Sequence, residues 1–289
     1  MNGVKIVFSP TGGTQKVADA LAEELAKDGG SISQIDLSDP AMEKADLCVD
    51  ADALAVIAAP CFAGRVPALV LERLARVASN GAKAVVTIVY GNRDFDDALL
   101  ELKDSAVALG YTVVAGVAGI AEHSLAHQFA TGEPGPDQIA MLHSFAQQIL
   151  EKVQNAAIGD IEVPGNKPYK DPGAGKLVPQ PTPACSACRA CAQVCPVGAI
   201  GALPRGMADE NLCIGCMRCV AMCPKHARVV NQEIAGAIAA RIESACSVKK
   251  DPQLFLYQIW DSAAQLDIAW QCRKIIRSKE HLNREGYRT

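Results

Sequence analysis

The chain has 289 residues, 49% of them hydrophobic and 21% charged, with 12 cysteines and a formal net charge of −4. This is the composition of a globular protein, and the length predicts two domains or one domain with a substantial appendage. The charge is unevenly spread: residues 1–160 carry 11 Lys/Arg against 21 Asp/Glu, and residues 161–289 carry 17 against 11.

The opening MNGVKIVFSPTGG has no basic segment leading into a long apolar one, so it does not read as a signal peptide. The most apolar stretches, Ala53–Gly64 and Tyr111–Ala121, are too short to span a bilayer. The expectation is a cytoplasmic protein without a membrane span.

The first element is a strand at Lys5–Phe8, which runs into Ser9-Pro10-Thr11-Gly12-Gly13-Thr14. Val17, Leu21, Ala22 and Leu25 then recur at helical spacing up to Gly29-Gly30. Further strands are expected at Ser31–Leu37, Ala53–Ala59, Ala84–Tyr90 and Thr112–Gly119. Helical patterns cover Pro67–Ala78, Phe95–Leu109 and Asp137–Val153. Five strands alternating with helices predict an α/β fold with a doubly wound, five-stranded parallel sheet.

The loop after the first strand is neither a Walker A loop nor G-x-G-x-x-G. It offers hydroxyls from Ser9, Thr11 and Thr14, with Gly12 and Gly13 letting backbone amides close on an anion at a helix N-terminus. Such a loop suits a terminal phosphate, as flavodoxin-like folds hold that of FMN; Ser, Thr and Gly also make ordinary turns. In an open α/β sheet, ligands bind beyond the carboxyl ends of the strands at the topological switch point. There lie Pro60-Cys61-Phe62-Ala63-Gly64-Arg65 and Tyr90-Gly91-Asn92-Arg93-Asp94-Phe95. Phe62, Tyr90 and Phe95 could cover a flavin face or pack under the loops, and Cys61 could touch the ring. After the last strand, His123 could donate a proton near a flavin, or serve as a structural hydrogen-bonding residue.

Residues 159–183 are rich in Pro and Gly and read as an extended linker. The cysteines follow. Cys185, Cys188, Cys191 and Cys195 precede Pro196; Cys213, Cys216, Cys219 and Cys223 precede Pro224. Each block reads C-x-x-C-x-x-C-x-x-x-C-P, the second 28 positions after the first. Thiolates at this spacing wrap a 4Fe–4S cluster, and in two-cluster ferredoxins the fourth ligates the cluster of the other block. The expectation is therefore crossed ligation, with the fourth cysteine opening a helix. A zinc site needs four ligands and leaves a third cysteine in each block unexplained, and disulfides do not suit a chain with no sign of export. Such labile clusters suggest an anaerobic or microaerobic cell.

Basic residues near the cysteines, including Arg189, Arg205, Arg218, Lys225 and Arg228, read as counter-charge for the thiolates rather than as a nucleic-acid patch. Val194, Val197, Ile200, Ile214, Met217, Val220 and Met222 are expected to line the clusters. The domain expectation is residues 1–158, linker 159–183, cluster domain 184–233 and a helical tail 234–289. Cys48, Cys61, Cys246 and Cys272 remain as ordinary thiols.

The loop FSPTGGT, the segments PCFAGRVP, VYGNRDFDDALLEL and AEHS, and the two cysteine blocks, in this order, resemble the family of flavodoxin-like proteins fused to a two-cluster ferredoxin. Ser9, Thr11, Gly12 and Thr14 match the flavodoxin T/S-x-T-G-x-T phosphate motif. The resemblance implies FMN, two 4Fe–4S clusters and cytosolic electron transfer to a redox partner protein or within a larger redox complex. The chain departs from many flavodoxins in having both Trp260 and Trp270 in the tail, away from the expected flavin. A flavin-dependent oxidoreductase, with the clusters as its wire, is the alternative.

Overall fold

The computed structural model describes residues 2–27, 29–155, 159–173, 175–201 and 206–257. Arg205 and the tail from residue 258 onward, with Trp260, Trp270 and Cys272, lie outside them. The strands are β1 (Gly3–Val7), β2 (Ile32–Asp36), β3 (Leu47–Cys48), β4 (Leu54–Pro60), β5 (Val77–Ala78), β6 (Lys83–Tyr90), β7 (Thr112–Ile120), β8 (Gln180–Pro181), β9 (Arg228–Val229) and β10 (Gln253–Leu256). The helices are α1 (Gly13–Leu25), α2 (Ala68–Leu74), α3 (Ala98–Ala108), α4 (Pro136–Gln154), α5 (Ala190–Gln193), α6 (Arg218–Ala221) and α7 (Gln232–Cys246).

The main sheet runs β10-β7-β6-β4-β1-β2. Its first five strands in sequence are parallel, in the order β2-β1-β4-β6-β7. This is the flavodoxin-like winding, with its switch point between β1 and β4. Every residue of β4 is buried, as expected of a central parallel strand covered on both faces. On one face Ile6, Phe8, Ile57 and Ile88 pack with Leu74 of α2 and Leu99 of α3. On the other, Val7, Val56 and Val85 pack with Leu21 of α1 and Leu142 of α4. Removing a large side chain from either layer should cost about 2–5 kcal/mol.

The sheet differs from the expected five strands by a sixth. β10 pairs antiparallel with β7, setting Gln253 opposite Ala118 and Leu256 opposite Ala115. Within the tail expected from residue 234, the described residues 234–257 hold the rest of helix α7 and a returning strand. The helix expected over Pro67–Ala78 stops at Leu74, because Val77 pairs with Leu47 in a two-strand parallel sheet.

Residues 159–173 lie along α3. The Asp97 carboxylate accepts from the backbone N–H of Asn166 at 2.8 Å and of Lys170 at 2.7 Å. Arg65 pairs with Glu101 at 2.5 Å, donates to the Lys170 carbonyl at 2.6 Å and lies 5.0 Å from the centroid of the Tyr169 ring. Among the described residues, no helix is long and apolar enough to cross a membrane.

Candidate functional site

The two cysteine blocks repeat in backbone as well as in sequence. Ala187 and Gly215, Arg189 and Met217, and Gly198 and His226 all have positive φ, each pair 28 positions apart. Arg189 and Met217 are the N-caps of the four-residue helices α5 and α6. The third cysteines, Cys191 and Cys219, lie inside these helices. The fourth, Cys195 and Cys223, come just after them rather than opening a helix, because Ala192 and Val220 accept their N–H groups in a closing turn.

The cysteines gather across the repeat. Cys185, Cys188 and Cys191 line a cavity of about 190 Å³ together with Cys223 of the other block. Cys213, Cys216 and Cys219 line a second cavity together with Cys195. Each quartet surrounds a space instead of meeting at a point: among the described residues, no three His, Cys, Asp or Glu side chains could hold a single metal ion. Donors already face the sulfurs, with Gly215 N–H 3.4 Å from Cys213 Sγ and Ala227 N–H 3.3 Å from Cys223 Sγ. Burial pushes the Cys216 thiol up to about 12. Ile200, Ile214 and Met217 line the cavities, whereas Met222 is half exposed.

The second quartet faces the sheet. Arg218, at the start of α6, donates to the Ser9 carbonyl at 3.2 Å and stands 3.7 Å from the Asp36 carboxylate. Ile214 packs on the hydrophobic core between the sheet and helices α2 and α3. Arg73, buried on α2, donates to the carbonyls of Leu37, Asp39 and Pro196, tying the first block to the end of β2. The first quartet looks outward, with Ser186, Cys188, Arg189 and Lys225 exposed.

At the switch point, Gly12 (φ 94°) caps α1 without any side-chain bond. Ser9 Oγ accepts from the Gln15 N–H at 2.9 Å, and Ser38 Oγ accepts from the Ser9 N–H at 2.9 Å. Gly13 is required by a close approach, since a Cβ there would lie 2.7 Å from that of Ala121. Thr11 is exposed and Thr14 is buried. Ser9 Oγ already takes the Gln15 N–H, which leaves the N–H groups of Gly13 and Thr14 at the start of α1; with the Thr11 and Thr14 hydroxyls this donor set fits a phosphate.

The neighbouring loops depart from the sequence picture. Tyr90 and Phe95 are buried core residues in edge-to-face contact at 5.4 Å, which is the packing alternative; Phe62 stays half-buried. Pro60 ends β4, and Ala63 and Gly64 turn a tight hairpin closed by Phe62 and Arg65. The Cys61 thiol, pushed up to about 12 by burial, points to the Asp94 and Phe95 carbonyls. Asn92, 2% exposed, donates to the carbonyls of Cys246 and Val248 and accepts the Lys250 N–H, all at 2.9 Å. Its amide is thus used to anchor the chain between α7 and β10. Arg93 pairs with Asp96.

His123 packs on Gly91, where a Cβ would lie 2.5 Å from the ring. Its Nδ1 accepts from the N–H groups of Leu125 and Ala126 at 3.2 and 3.1 Å. The ring proton is therefore on Nε2, and burial lowers the pKa, keeping the ring neutral.

Residues 208–229 match the 4Fe-4S binding domain family. A flavodoxin from Streptococcus pneumoniae TIGR4 is 21% identical, with a TM-score of 0.37 over 52% of this chain and 98% of its own. Rubredoxin oxygen:oxidoreductase from the anaerobe Desulfovibrio gigas is 15% identical, with a TM-score of 0.38 over 55% of this chain and 38% of its own. An FMN-dependent NADH-azoreductase from Bacillus anthracis is 13% identical, with a TM-score of 0.34 over 54% and 100%. No curated protein matches the chain. By its own strand order and by the family matched at 208–229, the chain carries a flavodoxin-like domain followed by a 4Fe–4S ferredoxin segment.

Proposed function

We propose that this is an electron-transfer protein carrying two 4Fe–4S clusters and one FMN, which passes electrons between a redox partner protein and the flavin. The observation that carries it is the pair of crossed cysteine quartets, one seated against the loops at the sheet's switch point. Cys185, Cys188, Cys191 and Cys223 would hold the outer cluster, and Cys195, Cys213, Cys216 and Cys219 the inner one. Ser9–Thr14 would hold the FMN phosphate, with the loops at 60–65 and 90–95 beside the ring. FMN supplies a carrier of one or two electrons when bound.

The outer quartet is where a partner approaches, because Cys188 is exposed there. Arg189 and Lys225 beside it favour a partner with an acidic face. The oxidoreductase alternative leans on His123 as proton donor. Burial disfavours its imidazolium form and leaves a neutral ring, a poor acid, which favours a structural role and the carrier reading.

The test is anaerobic reconstitution followed by stopped-flow mixing with a reduced low-potential dye. About eight irons per chain are expected, with FMN bound, and cluster and flavin absorbance should change without any organic substrate. Flavin that stays oxidised until a small organic molecule is added would overturn the carrier and favour the enzyme.

A further inference from the structure

Arg73 stands near the end of α2 and is 3% exposed. Its Nη1 donates to the carbonyls of Leu37 and Asp39 at 2.6 and 2.9 Å, and its Nη2 to that of Pro196 at 2.5 Å. All three acceptors are backbone oxygens, so one side chain fixes the course of two separate loops. Bonds from a charged donor are the stronger kind, and burial strengthens them further.

Both loops carry site residues. Pro196 follows Cys195, the cysteine that the first block sends to the second quartet, and both line the inner cavity. Leu37 and Asp39 flank Ser38, whose hydroxyl accepts the Ser9 N–H at 2.9 Å. A continuous run of bonds thus leads from Ser9 through Ser38 and Arg73 to the residue beside Cys195.

The repeat supplies an internal comparison. Cys223 and Pro224, 28 positions on, are the matching pair that crosses to the outer quartet. Cys195 and Pro196 are buried, whereas Cys223 is half-buried and Pro224 is exposed. One crossing cysteine is therefore held from the sheet domain. The other is held within its own block, by the Ala227 N–H on its sulfur.

We propose that Arg73 is a positioning residue for the inner cluster, the sheet domain's clamp on its crossing ligand Cys195. The inference rests on the cluster reading above. Arg73 lines neither cavity, so it acts through the Pro196 carbonyl and not on the iron. A ligand whose loop is pinned stays aimed at the metal, and groups behind a ligand govern retention in this way. The outer cluster draws its crossing ligand from an exposed turn that Arg73 does not touch, so its retention is independent of Arg73.

The experiment is the anaerobic loss of iron from reconstituted full-length protein to a chelator, for wild type, Arg73→Met and Arg73→Lys. Each cluster is followed by electron paramagnetic resonance after dithionite reduction, with Cys216→Ser identifying the inner signal. Arg73→Met should lose the inner cluster about 10–100 times faster than wild type, the usual effect of removing a group behind a metal ligand. The outer cluster should be lost at the wild-type rate. Arg73→Lys, which keeps the charge but cannot reach all three carbonyls, should fall between the two. If Arg73→Met yields no folded protein, Arg73→Lys against wild type carries the same comparison. Equal acceleration of both clusters, the mark of a general loss of stability, would overturn the inference, as would inner loss at the wild-type rate. Wild-type protein that takes up no iron defeats the cluster reading itself, whereas two clusters indifferent to Arg73 defeat this inference alone.

Discussion

Arg218 donates to the backbone carbonyl of Ser9 across 209 positions of sequence. One end of this residue opens helix α6, beside Cys216 and Cys219; the other touches Ser9 in the loop between β1 and α1. The second cysteine block is thereby seated on the switch point. Asn92 and Lys250 hold the chain on its return to β10, and Asp97 holds it on the way out, so the segment is tied to the sheet at both ends.

The crossed quartets predict which cysteines fail together. Cys188→Ser and Cys223→Ser should disturb the same cluster, and Cys195→Ser and Cys216→Ser the other, although each pair spans both blocks. The check is the resonance signature of each cluster in the four variants. If Cys223→Ser disturbs the same signal as Cys216→Ser, each block holds its own cluster and the crossing is wrong.

The phosphate loop gives a second test. Thr11→Ala and Thr14→Ala should each weaken FMN by roughly 0.5–1.5 kcal/mol, or up to about 3 if the bond is charge-assisted. Gly13→Ala should do more, because its methyl group meets Ala121 Cβ at 2.7 Å and forces the loop apart. Overpacking of that kind costs about 1–3 kcal/mol. Flavin titration into apoprotein measures all three. Affinity indifferent to both threonine changes would remove the phosphate from this loop.

Asn92 was legible in the sequence as a distinctive residue, but as a flavin contact. Its partners lie more than 150 positions away in α7 and the turn beyond, and no local pattern announces such a bond. Asn92→Ala should destabilise the protein by about 1–3 kcal/mol by leaving buried backbone groups unpaired. Denaturant titration should show the loss, and hydrogen exchange over residues 246–256 should quicken. Unchanged exchange there would mean that β10 holds without this anchor.

The same contrast runs through the fold. Four of the five parallel strands were legible as apolar runs between turn residues, β2 (ISQID) only by its spaced Ile32, Ile35 and Leu37, and the cysteine spacing carries its own chemistry. β10 was not: four residues, QLFL, take their place only by pairing with β7, far away in sequence. β3 and β5, two residues each, have no periodicity to read. For Tyr90 and Phe95 the sequence leaves ring cover and packing under the loops equally open, because it shows residue type but not burial. The cations near the clusters were countable, yet only the fold separates buried Arg228 from exposed Arg189 and Lys225.

His123 supplies a pH test. Burial lowers its pKa below the ordinary 6.5, with His127 and Arg93 adding to the effect. Below about pH 6.5 the unfolded chain takes up a proton that the folded ring resists. Its contribution to stability is therefore complete above that pH and declines as pH falls. His123→Leu should flatten the dependence of unfolding free energy between pH 7.5 and 5.5. Identical slopes in variant and wild type would show that His123 takes its proton as readily folded as unfolded.

Arg218 itself separates contact from wiring. Arg218→Ala removes a charge-assisted bond to Ser9, worth about 1.5–3 kcal/mol, and a long ion pair to Asp36, worth about 0–1 kcal/mol. Both are partly exposed, so the lower ends apply. The cysteines and the phosphate loop keep their own residues, and iron and FMN content should match wild type. What should change is the seating of the inner quartet. Electron passage between the clusters and the flavin, followed by stopped-flow after a reduced dye, should slow, while reduction of the outer cluster proceeds as before. Arg218→Lys, which can still reach the Ser9 carbonyl, should recover part of the rate. A variant that loses stability but transfers electrons at the wild-type rate would show that the inner quartet needs no help from Arg218 to reach the flavin.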